Sequence, residues 1–296
     1  MKPGLYPDIP EAEYHADPFP ISFSASIGSN IVNDSPWHAW AAHPRMNPNR
    51  GADEYHANAA FGTAMHAAFL GRQDERVVVL DCDDWMKKTA REARDEMVAN
   101  GLVPITRLQA GKLSAAVESA RDQLADHKDV AGLVDPPKNG RSELTCLWER
   151  DGHNMRSRID WLANDNRVVV DYKTTTGSAH PSKVQSRLYD TGADLAAAHY
   201  LDGLAYHGIH IYTMHYVIQE VEPPYLLSVV ALDSEAMELA QKKLARARFL
   251  WDWCMRNNRW PAYPTQTAWI SPPGYERYRE ESMPFVNADL TKAWEK

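Results

Sequence analysis

Apolar positions recur with a helical period along most of the chain and with a period of two in one central stretch. Helical spacing predicts elements over 25–33, from Ser35-Pro36 onward, over the Ala-rich run 59–71, and over 84–100, 108–127, 181–189, 193–207 and 234–257. Ser24 and Ser26 suit the N-cap of the first, Pro36 suits the opening position of the second, and Gly71 and Gly101 follow the last periodic residues of their segments. Residues 142–174 alternate apolar and polar with short polar turns between them, the pattern of a three-strand meander. Further strands are expected over 76–80, 209–220 and 225–233, the last two joined by Pro223-Pro224. Residues 1–23, rich in Pro, Tyr and acids, read as an extended arm, 44–58 as a loop, and the Pro-, Trp- and Tyr-rich stretch from Arg259 as irregular tail. The order is helices, meander, helix, two strands, helix: an α/β (α+β) fold in one domain, 1–296. Residues 1–58 would form an arm with short helices, 59–257 the core and 258–296 the tail.

Composition narrows the class. With 296 residues, 44% hydrophobic and 24% charged, the chain is long enough for a core and is neither disordered nor collagen-like. The three cysteines, Cys82, Cys146 and Cys254, are far apart, which suits a reducing, cytoplasmic setting and cannot by itself ligate an iron–sulfur cluster. No apolar run approaches ~18 residues and the start of the chain lacks an apolar signal core, so neither a membrane partner nor secretion is expected. A net charge of −8 argues against a broadly basic nucleic-acid surface; any such surface must be local.

The chemistry concentrates in the meander. Asp151-Gly152 is a favoured two-residue hairpin turn, and with it facing residues sum to 303, setting Glu143 opposite Asp160. A second turn at Asp165-Asn166 makes facing residues sum to 331 and sets Asp160 opposite Asp171. Glu143, Asp160 and Asp171 then stand abreast, with Lys173 two residues along on the same face. Facing like charges destabilise a sheet, and the neighbouring Val168-Val169-Val170 and Ile159 imply burial. Such carboxylates need a divalent cation or raised pKa values, and oxygen donors favour Mg²⁺ or Mn²⁺. The competing reading is a one-residue slip that turns a strand over and leaves the acids on the surface. Two carboxylates holding a metal, followed by a lysine that positions or deprotonates water or stabilises phosphate charge, are the minimal equipment for phosphodiester hydrolysis.

R-S-R-I-D-W (156–161) followed by V-V-V-D-Y-K-T-T (168–175) resembles the core of the PD-(D/E)XK nucleases, and more narrowly the RecE/exonuclease VIII-like branch of the RecB-like and phage recombination exonucleases. Y-H-A-D-P-F-P-I-S-F-S-A-S (14–26), S-P-W-H-A-W (35–40), F-G-T-A-M-H-A-A-F-L (61–70), S-E-L-T-C-L-W-E (142–149) and H-Y-L-D-G-L (199–204) resemble further signatures of that branch in the same order. The resemblance implies a restriction-endonuclease-like core, a central mixed sheet flanked by helices. It implies His66, Asp160, Asp171 and the main-chain carbonyl of Tyr172 as metal ligands, Lys173 as the catalytic lysine, and Glu143 as an acid serving a second metal or its water. Read without the resemblance, His66 is a helix histidine packing on the sheet. One departure stands out: many relatives carry Gln four residues before the helix tyrosine, where this chain has Ala196; either His199 or Gln185 substitutes, or the enzyme is weaker or altered in substrate.

By the same resemblance the activity is Mg²⁺-dependent exonuclease digestion of double-stranded DNA ends, 5′ to 3′, leaving single-stranded 3′ tails for recombination. A single-strand annealing protein as partner, a homo-oligomeric ring, and the cytoplasm of a bacterium or phage-infected host go with it. Alternatives are an endonuclease or single-strand nuclease in defence or repair, and a catalytically inactive DNA-binding or scaffold protein. Arg156 and Arg158, on the face of Asp160, and Lys183 with Arg187, one helical turn apart, are the expected phosphate contacts. The cluster Lys242, Lys243, Arg246 and Arg248 reads as a solvated face before a DNA contact, and Trp260 and Tyr263 as packing before base stacking.

Overall fold

The computed structural model describes residues 1–50, 57–71 and 76–282. Part of the expected loop over 44–58 and the tail beyond 282 lie outside the described residues. The chain divides into two units, Met1–Pro261 and Ala262–Lys296.

Short elements open the first unit: β1 (Gly4–Tyr6), α1 (Glu11–His15), β2 (Ser22–Phe23), α2 (Ala25–Asn33) and α3 (Pro36–Ala42). Then come α4 (Ala57–Phe69), β3 (Val77–Leu80), α5 (Lys88–Ala99), β4 (Val103–Thr106), α6 (Arg107–Leu124) and α7 (Pro136–Asn139). The remainder is β5 (Gly140–Arg150), β6 (His153–Ala163), β7 (Val169–Thr175), α8 (Pro181–Asp190), α9 (Ala193–Tyr206), β8 (His215–Glu220), β9 (Leu227–Ala231) and α10 (Ser234–Asn257). The second unit contains α11 (Gly274–Ser282), an exposed helix in a stretch expected to be irregular. Side-chain caps fix several starts. Ser24 accepts the Ile27 N–H, Ser35 the His38 N–H with Pro36 next to it, Thr106 and Gln109 form a capping box, and Asp233 accepts the Ala236 N–H. Among the described residues no helix is long and apolar enough to cross a membrane.

The main sheet has seven strands in the order β1-β5-β6-β7-β8-β9, with β2 also beside β6. Strands β7 and β8 run parallel, as do β2 and β6, and the other neighbours are antiparallel, so the sheet is mixed. Strands β3 and β4 form a separate parallel pair. One face of the sheet is covered by α2, α8, α9 and α10, whose Ile27, Leu188, Leu195, Leu204 and Leu244 meet Leu144, Trp148 and Ile159. The other face is covered by α4 and α6, whose Phe69, Val117 and Leu124 meet Trp161, Val170 and Tyr172. Fold and register thus follow the pattern of the sequence. The supposed arm over 1–23 does not: it contributes β1, α1 and β2 and is stitched to the sheet edge-on.

The site lies where β6 forks. Along one edge β6 pairs with β5 from end to end except at Asp160, in the 303 register set by a turn in which Asp151 and Gly152 have φ of +54° and +77°. Along its other edge it pairs with β2 only at Asn154 and Met155, and with β7 only at Trp161 and Leu162. Residues 156–160 therefore present an open edge between two partners.

Candidate metal centre

Asp160 is the last residue of that open edge. Its Oδ2 lies 3.0 Å from His66 Nε2 and accepts the backbone N–H of Tyr172 at 2.8 Å. A strand residue's N–H and C=O leave the strand on the same edge, so the Tyr172 carbonyl also faces the fork. Helix α4 packs over this point through Phe69, stacked on the Tyr172 ring at 4.1 Å, and delivers His66 one turn earlier. Gly62, a further turn back, lets α4 approach Thr174: a Cβ there would stand 3.0 Å from its Oγ1. His66 Nδ1 lies 3.2 Å from Glu143 Oε1. Glu143 stands at the 303 position opposite Asp160, but with φ +57° it drops out of the ladder that continues on either side of it. Asp171 is close enough to Asp160 for the two carboxylates to act on each other, and Lys173 Nζ lies 2.6 Å from Asp171 Oδ2. An open cleft of about 500 Å³ leads to the cluster, with Tyr14, Ser26, Arg158 and Tyr200 on its walls.

The charges interlock. Burial pushes Asp171 up to about 6, with Asp160 adding to the push and Lys173 opposing it. Burial also acts against ionisation of Asp160 and Glu143, but the His66 charge and hydrogen bonds, aided by Lys173 and Arg158, hold both below the usual carboxylate range. His66 is held well above its ordinary value: burial lowers it, and the contacts to Asp160 and Glu143 outweigh burial. Lys173 is likewise raised, burial being outweighed by Asp171 and Asp160. His66, Glu143 and Asp160 each offer a ligand atom, and these atoms lie within 4.8 Å of one another. One imidazole nitrogen and two carboxylates, held together by a proton on the imidazole, form a donor set that a divalent cation fits once that proton leaves.

The family model that matches the chain, over residues 32–271, is described as a PDDEXK-like domain of unknown function (DUF3799). The chain belongs to this PDDEXK-like family. A solved structure with the same fold is a "Putative exonuclease" from Eubacterium rectale: TM-score 0.54, 12% identity, covering 88% of this chain and 96% of that one. A second, SSO0001, aligns at 14% identity over 70% of this chain and 97% of that one, with a TM-score of 0.25. No curated protein matches the chain.

The expected phosphate contacts of this PDDEXK-like domain are dispersed. Arg156 is a correction: it points inward, 5% exposed, and pairs with Asp17 at 2.7 Å, because the N-terminal segment covers that end of β6. Asp17 also accepts from the Ser22 N–H and hydroxyl, so the A-D-P-F-P-I-S stretch is a socket for Arg156. Arg158 stays on the cleft but donates to Glu143 and to the Ile9 carbonyl. Lys183 and Arg187 lie on the exposed side of α8, where Arg187 donates to Thr175, the neighbour of cleft residue Thr174. His199 does not substitute for the missing glutamine: it is fully buried on the far side of β6, bonded to the Arg156 carbonyl. Gln185 sits on the exposed surface of α8. Ala196, one turn before Tyr200, is half-buried. Sequence reasoning missed Asp17 and Tyr14, the second of which lies beneath both arginines. The only signal was their place in the 14–26 stretch.

Proposed function

We propose that this PDDEXK-like chain is a metal-dependent DNA nuclease that hydrolyses the phosphodiester bonds of duplex DNA from an end. The observation that carries the reading is the convergence of His66, Glu143, Asp160, Asp171 and Lys173 on one strand fork, with His66, Glu143 and Asp160 lining an open cleft. A bound divalent cation would supply positive charge against the scissile phosphate and acidity to a nearby water. His66, Glu143 and Asp160, with the Tyr172 carbonyl, would hold it. Asp171 orients the Lys173 ammonium, whose charge opposes that developing on the phosphate. Asp160 in turn faces both His66 and the Tyr172 N–H, beside Asp171 and within the field of Lys173. Mg²⁺ is the expected metal, and the imidazole in the donor set makes Mn²⁺ an effective substitute.

Action from an end is supported by the name of the Eubacterium rectale neighbour and by the RecE-like motifs. The 5′ to 3′ direction, an annealing partner and a ring-shaped assembly rest on those motifs alone. The test is digestion of 5′-labelled, 3′-labelled and covalently closed circular duplexes with Mg²⁺ or Mn²⁺. Release of short 5′-labelled products with circles left intact is the expected result, and Lys173→Ala should abolish it. Cutting of closed circles would replace the exonuclease reading with an endonuclease. No cleavage with either metal would favour an inactive DNA-binding protein.

A further inference from the structure

The N-terminal segment meets the acidic cluster at Arg158. This arginine leaves β6 two residues before Asp160 with its side chain 12% exposed. Its Nε donates to Glu143 Oε2, its Nη1 donates to the Ile9 carbonyl at 3.1 Å, and its guanidinium lies 5.6 Å from the centre of the Tyr14 ring. Glu143 has φ +57°, a conformation that an L residue keeps at a cost that its surroundings must offset. The planar guanidinium takes one Glu143 oxygen, and the other, Oε1, is directed at His66.

We propose that Arg158 is a positioning residue for a divalent cation at His66, Glu143 and Asp160: it fixes the Glu143 carboxylate and makes the Ile9–Tyr14 segment part of the site's frame. The inference rests on the nuclease reading for the cation itself. It has a sign that separates it from plain electrostatics. Arg158 is a positive charge beside a cation site, so as a mere neighbour its removal would tighten cation binding. As the residue that holds Glu143, its removal weakens binding despite the lost repulsion.

The experiment is a Mn²⁺ titration of the full-length chain, reading free Mn²⁺ by electron paramagnetic resonance, for wild type, Arg158→Gln and Arg158→Lys, with melting curves alongside. Both variants should bind about 10- to 100-fold more weakly, the range for losing an outer partner of a metal ligand. Lysine keeps the charge and loses the fork, so it separates the two roles, and it decides the matter if the glutamine variant does not fold. Tyr14→Leu should weaken binding in wild type and change nothing further in Arg158→Lys. Unchanged or tighter Mn²⁺ binding in the variants, or a fall in melting temperature alone, would overturn the positioning role and leave the nuclease reading standing. Wild type that binds no Mn²⁺ would overturn both.

Discussion

His199 links the stability of this protein to pH with a predictable sign. The ring is fully buried between Trp148 and Phe23, at centroid distances of 4.7 and 5.4 Å. Its Nε2 lies 3.0 Å from the Arg156 carbonyl, which needs a proton on that nitrogen, and its Nδ1 faces Arg248 Nη2 at 3.4 Å. A second proton would sit against a guanidinium in the dry core. Burial first, then Arg248, push the pKa down to about 3, with the Arg156 carbonyl and Asp202 only partly opposing. The unfolded chain protonates near ~6.5, so between that value and about 3 it binds a proton that the folded chain does not, and stability falls as pH falls. From pH 7 to pH 5 this one group should remove about 2 kcal/mol, from ~1.4 kcal/mol per unit over roughly 1.5 units. His43, His15 and His215 are lowered and add to the loss, while the raised Asp171 and His66 oppose it, so the wild-type total alone does not isolate His199. The comparison is therefore with His199→Gln, whose amide can serve both neighbours without titrating. Urea melts of both proteins at pH 7 and pH 5 read the difference. Equal losses in wild type and variant would refute the reasoning.

Other outcomes follow from single contacts. Gly203→Ala should cost about 1–3 kcal/mol by overpacking, because its Cβ would stand 2.8 Å from the Trp148 ring and 3.0 Å from Cys146 Sγ. Gly111→Ala, on the exposed side of α6 with open space around it, should instead raise stability by about 0.5–1 kcal/mol, and thermal melts distinguish the two. Asp17→Ala strands the Arg156 guanidinium in the interior and should cost about 3–5 kcal/mol, read by denaturant unfolding. His66→Ala should raise the Mg²⁺ concentration for half-maximal cleavage by more than the about 10-fold typical of losing an outer partner, with circular dichroism showing the fold retained.

What was legible in the sequence was what local chemistry decides. Asp151-Gly152 takes left-handed backbone at both positions, and that alone set the β5–β6 register and put Glu143 across from Asp160. Asp165-Asn166, left-handed at Asn166 alone, turns β6 into β7, whose observed pairs also sum to 331. The residues that failed are those whose surroundings come from far along the chain. Alternation correctly puts Arg156 in line with Arg158 and Asp160, but nothing near it announces that Asp17 will bury it. The strands β1 and β2 are three and two residues long, too short for any period to register, and their partners lie more than a hundred positions away. Strand β4 contains Pro104, which weakens any strand pattern, and it survives because β3 and β4 form an isolated pair.

The distribution of charge within the site changes what the net charge of −8 means for a DNA-binding reading. Glu143, Asp160 and Asp171 are matched by His66, Arg158 and Lys173, three charges against three, so the cluster neutralises itself before any cation arrives. Arg156 is spent on Asp17. Of the four arginines and lysines expected to meet phosphate, Lys183 and Arg187 are left exposed. Two phosphate contacts correspond to a log–log salt slope of only about −2, a weak grip for a duplex. Exchanging the His66 proton for a divalent cation adds about one unit of positive charge at the foot of the cleft, where the phosphate must sit. DNA affinity should therefore depend on metal more steeply than on salt. Duplex binding in Ca²⁺, against the same protein in chelator, is where that difference would appear. Equal affinity in the two would mean that the phosphate is held by side chains elsewhere.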